Sequence, residues 1–229
     1  MAARDFRARL QKRATRAGVS ITAELSSAIG AYFDLLSRWN RKINLTALDD
    51  PDQAIDRLVL EPLVAARYLP SGSVRMMDIG SGGGSPAIPL KLAAPSVALT
   101  MVEVKARKSA FLREAVRTLD LRDVQVETSR YEELLARPEL HEGFDVLTVR
   151  AVRVEPRVLH TLQAFLRPSG SLFMFRGPSG PESPSDVFPP LEFHATYPLV
   201  DSVQSRLTVL TKRPVGGAIH VPRGTLPAR

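Results

Sequence analysis

Apolar residues recur at helical spacing in the first third of the chain and gather into short runs after it. Leu25, Ile29, Tyr32 with Phe33, Leu36 and Ile43 predict one amphipathic helix. Thr22 suits its N-cap, and Glu24 falls in its positively polarised first turn. Residues 1–17 read as a basic helix or a flexible arm. A further helix is expected over about Pro51–Tyr68, stopping before Pro70. From Val74 the pattern changes. Strands are expected at Val74–Ile79, Val97–Val102, Val124–Val126, Phe144–Val149 and Ser171–Phe175. Helices are expected at Pro86–Ala94, Lys105–Leu119 and Val154–Leu166. Ala106, Ala110, Leu112, Ala115, Val116 and Leu119 are available for the inner face of the second of these. Strand–helix alternation of this kind predicts parallel β-α-β units in an open, doubly wound α/β sheet. Gly177–Pro190 reads as a loop, and Phe193–Tyr197 with Arg206–Thr211 as a closing antiparallel hairpin.

That division predicts a helical extension over residues 1–70 packed on the core, a ligand-binding α/β domain over 71–213, and a Pro/Gly/Arg-rich tail over 214–229. Apolar residues form 44% of the 229 and charged residues 24%, which describes a globular chain rather than a disordered one. No apolar run is long enough to span a membrane. Cysteine is absent, so the chain has no thiolate for metal binding or for covalent activation of a pyrimidine ring. His141, His160, His194 and His220 are scattered without ligand spacing, and no metal is expected. The net charge of +7 is concentrated at the ends. Arg4, Arg7, Arg9, Lys12, Arg13 and Arg16 stand against Asp5 alone, and Arg206, Lys212, Arg213, Arg223 and Arg229 against no acid. Such ends suit either a polyanionic partner or a solubilising surface.

Candidate chemistry centres on Asp78-Ile79-Gly80-Ser81-Gly82-Gly83-Gly84, between a predicted strand and a predicted helix. Glycines there turn the chain tightly and let a ligand approach bare backbone. Dinucleotide folds use G-x-G-x-x-G, whose third glycine is Ser85 here. The run instead resembles the D-x-G-x-G-x-G of class I methyltransferases, which bind S-adenosylmethionine. Glu103, closing the second strand, can accept both hydrogen bonds of a ribose diol, though that contact serves either cofactor. Tyr131 and Glu132 follow the third strand, where such folds border the adenine. Gly80, Gly82, Gly84, Ser85, Glu103, Tyr131, Glu132 and Arg150 are the candidate cofactor-binding residues.

The residues after the fourth strand, Thr148-Val149-Arg150-Ala151, lack the [DN]-P-P-[YF] loop that accompanies methylation of an exocyclic adenine amine. An atom that is already nucleophilic, such as guanine N7, needs no base. Positioning alone could supply ~7–11 kcal/mol. No general base is assigned, and Arg150 is the nearest candidate to the chemistry, with an ion pair at a strand end as its other reading.

Trp39-Asn40-Arg41-Lys42-Ile43-Asn44-Leu45-Thr46 resembles the W-N-x-x-x-N-L-T of the bacterial 16S ribosomal RNA guanine-N7 methyltransferase family, RsmG, also called glucose-inhibited division protein B. Asp78–Leu90 resembles the family's D-x-G-S-G-x-G-x-P-G-I-P-L, and Ser129–Glu133, Arg150-Ala151 and Pro222-Arg223-Gly224 are also similar. The resemblance implies a class I, Rossmann-like methyltransferase acting in the cytoplasm as a monomer. Its substrate would be ribosomal RNA or the small subunit, with S-adenosylmethionine consumed to S-adenosylhomocysteine. It implies that Ser85 meets cofactor through its backbone, that Glu103 holds the ribose, that Arg150 lines the site, and that Trp39–Thr46 and the basic ends help hold RNA. The chain departs from the family's R-H-x-x-D-S-L at Leu58, Glu61 and Pro62, from its glycine at Ala87, and from its lysine at Arg176. Methylation of another RNA or a small molecule, or RNA binding without catalysis, stays open on these residues.

Overall fold

A computed structural model describes residues 3–47, 50–150, 155–178 and 187–214. The expected start of a helix at Val154, Ala151, much of the Gly177–Pro190 loop and the Pro222–Gly224 similarity fall wholly or partly outside these residues. Helix α1 (Ala3–Arg16) is followed by α2 (Ala23–Ile43), capped by the Thr22 hydroxyl, which accepts from Leu25 N at 3.2 Å. The expected single helix to Tyr68 is present but changes its winding. It runs as α3 (Pro51–Ile55), a π-helical turn (Asp56–Leu60), α4 (Glu61–Ala65) and a final 3-10 turn (Ala66–Tyr68).

Seven strands follow: β1 (Arg75–Ile79), β2 (Ala98–Val102), β3 (Val124–Glu127), β4 (Phe144–Arg150), β5 (Leu166–Arg176), β6 (Leu191–Pro198) and β7 (Arg206–Lys212). Their order across the sheet is β3-β2-β1-β4-β5-β7-β6. The first five run parallel, and β7 lies antiparallel to both β5 and β6. Helices α5 (Ala87–Ala93), α6 (Ala106–Thr118) and α7 (Pro156–Leu162) make the crossovers. The order reverses between β1 and β4, so the crevice beyond their carboxyl ends is the place where this architecture accommodates a ligand.

The sheet is buried on both faces, and strand alternation divides it between two cores. Met76, Val146, Phe173 and Phe175 face one core, with α1, α2, α5 and α6 packed over it. Met77, Ile79, Leu147, Val149 and Leu172 face the other, under Leu159 and Leu162 of α7. The amphipathic stripe of α2 therefore closes the main core, and α1 adds Phe6, Leu10 and Ala14, with Phe6 stacked on Phe33 at 4.6 Å.

Two expectations need correction. The inner face of α6 is Ser109, Phe111, Leu112 and Ala115, whereas Ala106 and Ala110 are exposed. Trp39 of α2 meets Phe111 edge-on at 5.9 Å, and that contact sets the helix's rotation. The third crossover helix ends at Leu162 rather than Leu166, because Leu166 already pairs with Phe144 as the first residue of β5.

Candidate active site

The β1–α5 turn is built by backbone hydrogen bonds. Gly80 N and Ser81 N both donate to Val102 O, at 2.9 and 3.0 Å, and Gly84 N donates to Ser81 O at 2.6 Å. Gly82 has φ 50° and Gly84 φ 83°, where side chains other than glycine's are strained. The two do different work. A Cβ on Gly82 would come within 4 Å only of Gly80 O, at 3.7 Å, so that face is open. A Cβ on Gly84 would lie 2.5 Å from Ile88 Cδ1. Gly84 is absent from the lining of the cavities described below, and its missing Cβ allows close packing of Ile88. Between them, Gly83 is pressed against α2, and its carbonyl accepts from Tyr32 Oη at 2.6 Å. Burial pushes the Tyr32 phenol up, which keeps it a donor.

Asp78, at the end of β1, is buried. Its Oδ1 accepts from Thr148 Oγ1 at 2.5 Å, and its Oδ2 has no partner among the described residues. Burial raises its carboxyl, with Thr148 and Ser81 pulling the other way. Glu103 closes β2 at 6% exposure, with Oε2 accepting from Gly82 N at 2.9 Å and Oε1 from Lys105 N at 2.8 Å. It thus ties the glycine turn to the start of α6 while keeping further lone pairs for a diol.

Two cavities meet at Gly80. The smaller, about 300 Å³, has an apolar floor of Ile79, Val102 and Val149, with Glu103, Tyr131 and Glu132 at its rim. Ser129 Oγ lines it, buried and without a partner. The larger, about 440 Å³, holds Arg57, Glu61, Lys108, Arg150 and Arg176 beside Phe175. Gly80, Gly82 and Ser85 border it, and the Ser85 hydroxyl donates to Leu58 O at 2.9 Å. A third cavity of about 540 Å³ lies away from the glycine turn, where Arg13 and Ser202 both bond Asp56.

Glu61 is the residue that sequence reasoning counted only as a departure. It is 1% exposed, accepts from Arg150 Nη1 at 2.6 Å, and faces Arg57 Nη1 at 3.5 Å. The Arg150 guanidinium lies over the Phe175 ring at 4.8 Å, and its Nε and Nη2 have no partner among the described residues. Along this stretch, through the π turn, Asp56 bonds Arg13 of α1 while Arg57 and Glu61 line the cavity. The i, i+4 spacing of Arg57 and Glu61 was the one local signal. Lys108 and Phe175 had none. The Asn residues of W-N-x-x-x-N-L-T hold a turn: Asn44 ends α2 in the left-handed region, and Asn40 Oδ1 accepts from Thr46 N at 2.8 Å.

A sequence model of the family described as GidB, rRNA small subunit methyltransferase G, matches residues 26–183. The chain belongs to this family. Among its relatives is the ribosomal RNA small subunit methyltransferase G of Syntrophotalea carbinolica, 32% identical over 90% of this chain and 98% of the relative. That of Xanthomonas axonopodis pv. citri is 37% identical over 69% of this chain and 72% of its own length. The fold is similar to that of a SAM dependent methyltransferase from Aquifex aeolicus, with a TM-score of 0.54, 16% identity, and coverage of 73% of this chain and 95% of that one. The family's α/β class I methyltransferase architecture agrees with the strand order above.

Tyr32→Phe tests how α2 braces the glycine turn. It strands the Gly83 carbonyl without its 2.6 Å donor, which should cost about 1–2 kcal/mol of stability in urea unfolding. Unchanged stability would mean that water replaces the hydroxyl and that the brace is apolar only.

Proposed function

We propose that this enzyme methylates N7 of a guanine in small-subunit ribosomal RNA, binding S-adenosylmethionine across the two cavities that meet at Gly80. Family membership makes it a ribosomal RNA methyltransferase with S-adenosylmethionine as methyl donor. In this reading the smaller cavity takes the adenosine, Glu103 the ribose hydroxyls, and Tyr131, Glu132 and Ser129 the adenine edge. The open face of Gly82 admits the methionine portion, beside the unpartnered Asp78 Oδ2. The base enters the larger cavity next to Arg150.

One observation carries the choice of atom. Among the described residues the one carboxylate lining the larger cavity is Glu61, and it is held between two arginines. No His, Tyr or unpaired acid among the described lining residues stands ready to take a proton. The donor supplies an electrophilic sulfonium methyl, and guanine N7 already carries the lone pair that receives it, so no proton need be removed. The chain's residues then have only to orient the base and exclude water. Phe175 and the flat face of Arg150 offer a stacking surface for that purpose.

We expect the protein to act in the cytoplasm as a monomer. Among the described residues no helix is long and apolar enough to cross a membrane, and no His, Asp or Glu group could hold a metal. The test is transfer of labelled methyl to small-subunit RNA lacking the modification, as naked RNA and as subunits, followed by mapping of N7-methylguanine. Label at another guanine atom or another base would overturn the N7 assignment. Label on protein or small molecules alone would overturn the RNA assignment.

A further inference from the structure

Several of the chain's cations are already engaged. Arg9 pairs with Asp5 and Asp52, and Arg13 binds Asp56 through two nitrogens. Arg137, Arg167 and Arg213 each meet an acid. Lys91 and Lys212 are buried and satisfied by carbonyls, Lys212 with Glu142 as well. Of the six N-terminal cations that suggested a polyanion-binding arm, Arg9 and Arg13 are therefore spent on acids inside the fold.

Among the cations left, six gather beside the larger cavity. Arg38, Arg41 and Lys42 occupy the last turns of α2, exposed and without an acid partner among the described residues. Asp34, one turn earlier, makes no ion pair with Arg38. Lys105 and Arg107, at the start of the neighbouring α6, are exposed, and Lys108 lines the cavity itself. The two helix ends are neighbours: α2 packs on α6 through Trp39 and Phe111, and Leu45–Ala47, just past α2, line the same cavity as Lys108. Helix electrostatics accounts for Arg41 and Lys42, which sit at the negative end of α2. It does not account for Lys105, Arg107 and Lys108. These stand at the positive end of α6, where no acid occupies the first turn and no side chain caps it. The nearest carboxylate, Glu103, is turned inward onto Lys105 N and Gly82 N. Cations kept against the local dipole point to a requirement outside the helix.

We infer that the α2 C-terminus and the α6 N-terminus form a phosphate track that holds the RNA backbone beside the target nucleotide, a role that rests on the RNA reading above. Its members contact phosphates, so they fix the register of the RNA without reading its sequence.

The test uses the full-length enzyme with Arg41→Gln, Lys42→Gln and Arg107→Gln combined, against a control with Lys12→Gln and Arg16→Gln on α1. The track variant should raise KM for the RNA roughly tenfold at moderate salt and reduce the slope of log affinity against log salt by about 0.7 for each contact removed. Its kcat at saturating RNA and its calorimetric affinity for S-adenosylmethionine should match wild type, as should its thermal midpoint. The α1 control should leave KM within twofold. An unchanged KM and salt slope in the track variant, or an equal loss in the control, overturns the track while wild-type methyl transfer stands. Absence of RNA methylation by wild type removes the RNA reading and the track together.

Discussion

Gly82→Val should weaken S-adenosylmethionine binding at least a hundredfold, a loss of about 2.7 kcal/mol, while leaving a folded protein. Gly82 sits at φ 50°, so any Cβ adds backbone strain of roughly 1–2 kcal/mol, more for a β-branched residue. The Cβ itself would point into open space, 3.7 Å from Gly80 O, and the valine methyls would extend into the volume assigned to the ligand. Gly82 N also donates to Glu103 Oε2 at 2.9 Å, so a shifted turn would move the carboxylate assigned to the ribose. Calorimetry gives the affinity, and a thermal melt without ligand separates lost binding from lost fold. A Gly82→Val protein that melts normally and binds within threefold of wild type would place the cofactor elsewhere. Gly84→Ala is the useful contrast: its Cβ would overlap Ile88 Cδ1 at 2.5 Å, so it should lower the melting temperature first and affinity only as a consequence.

The glycine turn was legible because its causes are local. Four glycines and an aspartate between an apolar run and a helix leave few other conformations, and Glu103 could be located by its place at a strand end. The parallel sheet was legible for the same reason, from strand and helix periods alternating along the chain. What escaped depends on contacts between distant segments. Phe111 rather than Ala106 faces inward because Trp39 meets it across the α2–α6 contact. β7 lies beside β5, with β6 outside it, an order that hairpin spacing cannot specify.

Charge shows the same limit more sharply. The run of six basic residues before Ala17 was visible, but not that Arg9 and Arg13 would find Asp52 and Asp56, over forty residues on. The six cations on α2 and α6 are less conspicuous in sequence and have no acid partner among the described residues. Counting charges finds where they are, and only the fold decides which remain free.

Glu61→Ala should be the most destructive single change at the larger cavity. It removes the carboxylate between Arg150 and Arg57 and leaves two guanidinium groups facing each other across a buried gap. Breaking such a pair should cost about 3 kcal/mol, at the low end of the usual range because both arginines keep some hydration. For a chain of this size the melting temperature should fall by roughly 6–12 °C. Methyl transfer should fall further than stability explains, since Arg150 would no longer be held over Phe175. Glu61→Gln separates charge from shape. Burial raises the Glu61 carboxyl above its ordinary value, against the pull of Arg150 and Arg57. The folded state therefore holds this proton more tightly than the unfolded chain does. The associated stability is complete below the ordinary carboxyl value of 4.5 and is lost as pH rises through the raised one. Gln mimics the protonated acid at every pH. Wild type should thus lose stability relative to Glu61→Gln as pH climbs through that window, measured by urea unfolding at a series of pH values. A wild type that instead gains on Glu61→Gln over the same range would show that attraction to Arg150, at 2.6 Å, outweighs burial and that the pair is held as ions throughout.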